Sequence, residues 1–317
     1  MSQQLRVAQG LRSLQASPVE QREAAWRRAE RRWGWFFVGP QLLGMAVFVV
    51  LPFVVSLVLA FASWDGLTDL EWVGLANFAD QLTDPLLLRS ILNTLLLALV
   101  TVPVGLGLAT VIAVALDRLR SRALYLVLFF APVVTSSVAV AMIWQQLFRA
   151  DGALSATIAR VLGVAPPDWL GDPRLALLAV CVVTIWASLG LNVVIILAGL
   201  QNVPPTVVEA ARLDGAGALA MFFRIRLPLL SPVLFYSSVV AFISSLQTFD
   251  TVFLLTADAG PDNATRTIVY HIYDLGFGRF EFGPSSAAAV ILLVLTLVIT
   301  GAQFAVQRRF VHYEDAA

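Results

Sequence analysis

The sequence predicts an all-α, polytopic membrane protein with six transmembrane helices. Asp, Glu, Arg and Lys are absent from six long stretches: Trp33–Trp64, Ser90–Leu116, Ala123–Phe148, Leu175–Val208, Leu227–Phe249 and Phe282–Gln307. Each holds the roughly 20 apolar residues that cross a bilayer as a helix at ~1.5 Å per residue. Of the 317 residues, 59% are apolar and only 13% charged. The apolar residues come in spans, so one helical membrane domain fits this length better than two soluble domains. A chain inside hydrocarbon must also satisfy its own backbone hydrogen bonds, and each stretch can do so as a helix.

Taken in order, residues 1–32 read as an Arg-rich tail. A cleavable signal peptide is not expected there, because a long polar lead precedes the first apolar run and no small-residue cleavage site ends that run. The spans are then expected at 36–62, 91–116, 124–148, 175–200, 232–256 and 286–307, within a transmembrane domain of residues 33–309. Pro40, Pro52, Pro103 and Pro132 fall within or near spans, where each removes a backbone donor and can bend its helix. Gly105, Gly107, Ala109, Ala113 and the run Ser285–Ala289 permit close helix packing. The connections 63–90, 149–174 and 257–285 mix Trp, Gly, Asp and Pro, and have room for short interfacial helices. Residues 310–317 form a short second tail.

Net charge is zero, but its distribution is not even. With the N terminus inside, the inner segments hold fifteen arginines and eight acidic residues, the outer segments six and thirteen. The positive-inside rule therefore places both termini in the cytoplasm. Arg22, Arg27, Arg28, Arg31 and Arg32 are the strongest local signal. They suit orientation and contact with anionic membrane lipid, and nucleic acid is not expected as a partner.

Composition also excludes chemistry. All 21 basic residues are Arg. A P-loop needs a Lys to reach the β- and γ-phosphates, so no conventional nucleotide site of that type is expected here. Any ATP-driven process would need a separate chain for the ATPase. Cys181 is the only cysteine and sits in an apolar run, which rules out an internal disulfide. His271 and His312 are far apart and outside the spans, so no metal site and no cofactor are expected. No paired carboxylates or nucleophile–base pair occurs within the spans, which argues against an enzyme.

The most informative loop is 201–231. Thr206 and Glu209 have the spacing of a capping box, with Pro204 and Pro205 just before the helix. Gly215 can end that helix by taking a positive φ. Ala210 and Ala211 leave one face without bulk, so a partner backbone could approach closely. Pro228 and Pro232 can reset the chain direction at the start of the fifth span. The local reading is a short rigid helix between two spans, either passive at the interface or able to transmit motion.

A resemblance decides between these. Glu209-Ala210-Ala211, Gly215, Ile225, Leu227 and Pro228 match the E-A-A-x-x-x-G-x₉-I-x-L-P loop of binding-protein-dependent ABC importer permeases. Asp214 matches the D-G form typical of the carbohydrate-uptake branch. Trp72–Phe78 resembles that branch's F-V-G-L-x-N-Y/F segment. Phe249–Thr256 with Gly260-Pro261 resembles its F-D-x-I-x-x-L-T-x-G-G-P, with Ala259 standing where the family has its first glycine. The likeness covers about residues 35–309 and is to the first of two unlike permease subunits, as in maltose, oligosaccharide and glycerol-3-phosphate systems. It implies the type I importer permease fold and residence in the cell membrane. It implies a second six-span permease, an ABC ATPase homodimer or heterodimer that binds ATP and Mg, and an extracytoplasmic solute-binding protein. It also implies that Glu209, Ala210, Ala211, Asp214 and Gly215 lie in a helix docking on that ATPase.

The solute path is less marked. Asn192, Ser244, Ser245 and Gln247 are polar residues in apolar spans, suited either to a sugar-like solute or to a neighbouring helix. Trp144 and Trp186 can stack on sugar or anchor span ends at the interface. An ion-coupled secondary transporter would be expected to carry ionisable residues or broken helices near the midplane. Ionisable residues are absent from the spans, with Asp250 near an outer end. A non-transport membrane scaffold is the remaining alternative.

Overall fold

A computed structural model describes residues 18–310. Tail residues 1–17 and 311–317, with His312, lie outside the described residues, as do the side chains of the Arg22–Arg32 cluster. The chain divides into two units, one ending at Val58 and one beginning at Leu59. In the first, α1 (Pro18–Met45) runs through a π-helical turn at Ala46–Val50 into α2 (Leu51–Leu59). Its apolar stretch, Trp33–Leu59, is long enough to cross a membrane. The described chain is already helical at Pro18, inside the expected tail, and the helix runs on unbroken from there to Trp33.

The second unit starts with a two-stranded antiparallel hairpin, β1 (Ala62–Ser63) on β2 (Glu71–Trp72), pairing Ala62 with Trp72. Helix α3 (Ala76–Thr83) follows, and Asn77 on it donates to the carbonyls of Ala60 and Ala62 at 3.0 and 2.8 Å. Two long spans come next in the unit: α4 (Pro85–Asp117) and, later, α8 (Pro173–Gln201). Both start with proline after an aspartate whose carboxylate caps the helix: Asp84 accepts from the Leu86 amide and Asp172 from the Arg174 amide, each at 2.8 Å. The last span is α14 (Phe282–Phe310).

Two expected spans are not single helices. Residues 124–148 divide into α5 (Arg122–Val134) and α6 (Ser137–Phe148), and the segment Ser137–Leu162 bends from α5 by 100°. Pro132 has no amide to continue the ladder, and the Thr135 hydroxyl bonds back to the Ala131 carbonyl at 2.7 Å. Helix α7 (Ala153–Leu162) completes that segment.

The expected fifth span, 232–256, stops at Leu246. Its crossing is instead the pair α10 (Ala218–Leu229) and α11 (Ser231–Leu246), bent by 66°. Residues 247–249 are irregular, and α12 (Asp250–Leu255) follows as a separate short helix. The freed Thr248 carbonyl is satisfied from outside the span by the Thr267 hydroxyl at 2.9 Å. Among the described residues four helices are long and apolar enough to cross a membrane, and the count reaches six with each bent pair taken as one crossing.

Helices α4 and α8 form the most extensively packed pair, with α5 against α8 and α11 against α4. Between them, one apolar cluster joins Leu97, Val180, Cys181 and Val183, and a second joins Ala109, Ala113, Val193, Ile196 and Leu230. Burying apolar groups from lipid gains little, so this core rests on close packing. Ala109 and Ala113 take part as expected, but an added Cβ at Gly105 or Gly107 would meet nothing within 4 Å. The close approach is at Gly190 instead. A Cβ there would lie 2.1 Å from the Phe129 carbonyl oxygen. That glycine lets α5 cross α8 backbone to backbone.

Candidate functional site

The loop between α8 and α11 is built around α9 (Pro205–Leu213). Pro205 opens the helix, where a missing amide costs nothing. The predicted capping box does not form. The cap position is Pro204 and no side chain caps the helix, because the paired prolines start it before Thr206. The other end behaves as expected. Gly215 has φ +79, its amide reaches the Arg212 carbonyl at 3.1 Å, and the Ala216 amide reaches the Ala211 carbonyl at 3.0 Å. This is a Schellman closure, which turns the chain sharply back.

One face of α9 packs on the chain itself. Val208, Ala211 and Met221 are buried together, with Val203, Ala216 and Ile225 around them. Ala211 therefore faces inward, which corrects the expectation that both alanines open an outer face: consecutive helix positions point about 100° apart. Glu209, Ala210, Asp214 and Gly215 are exposed, and Leu213 is 89% exposed. Leu227 and Pro228 are half-buried where α10 returns to the span. Beside them Arg226 pairs with Asp117 at 3.1 Å, both largely shielded. Asp117 ends α4, where a helix dipole disfavours a carboxylate, and Arg226 offsets this while tying the loop to that span.

A cavity of about 120 Å³ lies between α4, α8 and α11, lined by Thr101, Thr184, Ser188, Asn192, Ser244 and Ser245 among apolar neighbours. Asn192, Ser244 and Ser245 are thus brought together. Gln247 is not, because α11 ends at Leu246 and Gln247 is its exposed cap. Ser245 is buried and shares a 3.1 Å hydrogen bond with Thr101. Thr184, Ser188 and Asn192 donate to the carbonyls four residues earlier, at 2.8, 2.9 and 3.2 Å. Sequence reasoning missed Thr101, Thr184 and Ser188, although the four-residue spacing of 184, 188 and 192 marks one helix face. Trp144 and Trp186 pack edge to face at 5.6 Å within the apolar cluster that includes Phe148.

At the end of this unit opposite α9, a buried polar network holds the 257–281 connection, which includes α13 (Ile268–Tyr273). His271 is fully buried. One ring nitrogen lies 2.9 Å from the Gln81 amide oxygen and the other accepts from Arg266 at 3.3 Å. Arg266, itself buried, also pairs with Asp274 and stands 5.4 Å from the Tyr270 ring centroid. Burial, then the Arg266 charge, pushes the His271 pKa down to about 4. Burial alone would raise the Asp274 carboxyl, but its bonds to Arg266 and Arg279 hold it below the usual range. Asn93 on α4 donates to the Asn263 and Arg266 carbonyls at 3.0 and 3.1 Å. Five residues of the described chain besides glycines have positive φ, and all lie in this connection: Asp258, Ala259, Asp262, Asn263 and Phe280. Ala259, noted above as a departure from a glycine, takes φ +62, the conformation a glycine there would adopt freely.

Comparison with known proteins fits this architecture. Residues 101–312 match the family model described as "Binding-protein-dependent transport system inner membrane component". The chain is 35% identical over 286 residues to the "Probable ABC transporter permease protein YesP" of Bacillus subtilis (strain 168), covering 89% of this chain and 92% of the relative. It is 32% identical to the lactose transport system permease protein LacF of Rhizobium radiobacter, over 86% and 91%. Its fold matches a chain of a bacterial alginate ABC transporter solved with an alginate pentasaccharide-bound periplasmic protein, with a TM-score of 0.77, 23% identity and coverage of 90% and 97%. With its long apolar helices and the family match over most of its length, the chain belongs to the inner membrane components of binding-protein-dependent transport systems.

Proposed function

We propose that this chain is the translocation subunit of an ATP-driven importer for sugar-like solutes, with both termini in the cytoplasm. It does no covalent chemistry. It pairs with a second six-span permease, receives solute from an extracytoplasmic binding protein, and is driven by separate ATPase subunits that bind ATP and Mg. The observation that carries this reading is the α9 loop: a short helix held rigidly by its Schellman closure and by Asp117–Arg226, with Glu209, Ala210 and Leu213 exposed. A rigid lever with one free face suits transfer of motion from a soluble motor to the spans. Glu209, Ala210, Asp214 and Gly215 form its docking side, while Ala211, Ile225, Leu227 and Pro228 hold it in place. Solute class is supported by the names of relatives and by the hydroxyl- and amide-lined cavity, in which no ionisable side chain stands. Neutral polyols exchange hydrogen bonds with such groups without the cost of burying charge.

Paired measurements test it. Gly215→Val forces a β-branched residue to φ +79. Uptake of a labelled sugar panel and crosslinking from residue 209 or 213 to the ATPase should both fall at matched permease levels, and Glu209→Ala should do the same more mildly. Full uptake by Gly215→Val, or no crosslink from any position in 206–217, rejects the coupling role. Uptake that needs an ion gradient and no ATPase would favour secondary transport.

A further inference from the structure

Helix α4 is bonded through side chains at both ends of this unit. At its inner end the terminal residue, Asp117, accepts from Arg226 of the α9 loop at 3.1 Å. Among the described residues this is the one side-chain hydrogen bond that joins residues 202–230 to a neighbouring span. Neither charge has another ion-pair partner among the described residues, and side-chain exposures of 17% and 20% shield the bond from water. Midway, Thr101 lines the cavity and shares its hydrogen bond with Ser245 of α11. At the outer end Asn93 and Thr94 are both buried. Asn93 holds the Asn263 and Arg266 carbonyls, and the Thr94 hydroxyl accepts from the Ile268 amide at 3.0 Å. The helix is continuous over 33 residues, and Pro103 does not interrupt it. The covalent route out of the loop is less direct. It bends by 66° before Ser231 and ends at Leu246, short of the outer turn.

We propose that α4 is the rod that carries movement of the α9 loop to the outer 257–268 turn, with Asp117 and Arg226 as its inner joint and Asn93 as its outer one. The inference rests on the importer reading above. All three are positioning residues, since none of them lines the cavity. A helix resists compression because its own backbone bonds close every turn, so a shift applied at Asp117 reaches Asn93, about 36 Å away along the axis. An ion pair suits the inner joint. Charge-assisted hydrogen bonds are about twice as strong as neutral ones. Separating a shielded pair also strands both charges, so α4 follows Arg226 when the loop moves. The outer joint grips a turn in which Asp262 and Asn263 already sit at positive φ. Backbone of that kind clusters in segments that switch between arrangements. Thr101 lies between the joints, so the same shift acts on its bond to Ser245 in the cavity.

The test uses the full complex in proteoliposomes with solute-loaded binding protein, and follows labelled-sugar uptake per ATP hydrolysed. Arg226→Gln and Asp117→Asn should each lower that ratio at least fivefold. The crosslink from Leu213→Cys to the ATPase, in a Cys181→Ser background, should persist in both. The exchanged pair, Asp117→Arg with Arg226→Asp, should restore the ratio to within twofold of wild type, which removal of a mere anchor would not do. Asn93→Leu should lower the ratio too, with Thr94→Val as the second variant at that joint if the first does not assemble. Effects at sites this far apart normally add. Here Arg226→Gln combined with Asn93→Leu should lose no more than the worse single variant, because a rod freed at one joint delivers nothing to the other. An unchanged ratio in Arg226→Gln, a crosslink lost in step with uptake, an exchanged pair that restores nothing, or additive losses overturns the rod. A wild-type complex that takes up sugar without hydrolysing ATP overturns the importer reading itself.

Discussion

Gly190→Ala is the sharpest probe of the packing that frames the solute cavity. The new methyl would lie 2.1 Å from the Phe129 carbonyl oxygen, 2.7 Å from its carbon and 2.9 Å from the Phe130 Cα. All three are backbone atoms, so no rotamer change relieves the overlap, and α5 and α8 must move apart by about 1 Å to reach normal contact. Overpacking of this kind costs about 1–3 kcal/mol. Alanine returns up to about 1 kcal/mol of helix propensity, leaving a net loss of about 1–2 kcal/mol. For a chain of this size that lowers an apparent Tm by about 2–6 °C. Gly105→Ala and Gly107→Ala gain the same propensity with nothing to clash against, so they should be neutral or slightly stabilising. The assay is thermal unfolding of the three purified variants in detergent, with uptake measured alongside. Ser188 and Asn192 flank Gly190 on α8, so the separation should also reshape the cavity and reduce uptake. A Tm for Gly190→Ala equal to or above that of Gly105→Ala, with normal uptake, would refute the backbone-to-backbone crossing.

Two further outcomes follow from the opposite end. Gly260 has φ +76 and ψ 175, a region open essentially to glycine alone, and a Cβ there would lie 2.7 Å from the Thr265 hydroxyl oxygen. Gly260→Ala should therefore destabilise the 257–267 turn by about 2–4 kcal/mol, seen as faster hydrogen exchange confined to that segment; unchanged exchange counts against the strain. His271 is held at about 4 in the folded protein against about 6.5 when unfolded, so the unfolded state binds more protons between those values. Stability should be flat above pH 6.5 and fall by about 3 kcal/mol as pH drops to 4, because protonation would put a charge on a buried ring and set it against the like charge of Arg266. His271→Gln should lower stability at neutral pH yet flatten that slope, and a slope that survives in the variant would place the acid sensitivity elsewhere.

The six crossings were legible in the sequence because a bilayer imposes a length and a charge-free composition on every span. Gly215 was legible too, since a glycine just after a short helix has one common use, and φ +79 with its Schellman bonds is that use. What tertiary structure decided are the points where one helix meets another. The break at 247–249 is stabilised by Thr267, nineteen residues away from Thr248, so no local pattern announced it. Ala211 turned inward because Met221 and Ile225 fold back beneath α9. Gly190, and not Gly105 or Gly107, became the crossing point because that choice depends on which turn of α8 faces α5. His271 reads in the sequence as an isolated loop residue, and only the fold brings Arg266 and Gln81, from before the second span, against its ring. Apolar length is written residue by residue along the chain, whereas contacts between distant segments exist only once the helices have chosen their neighbours.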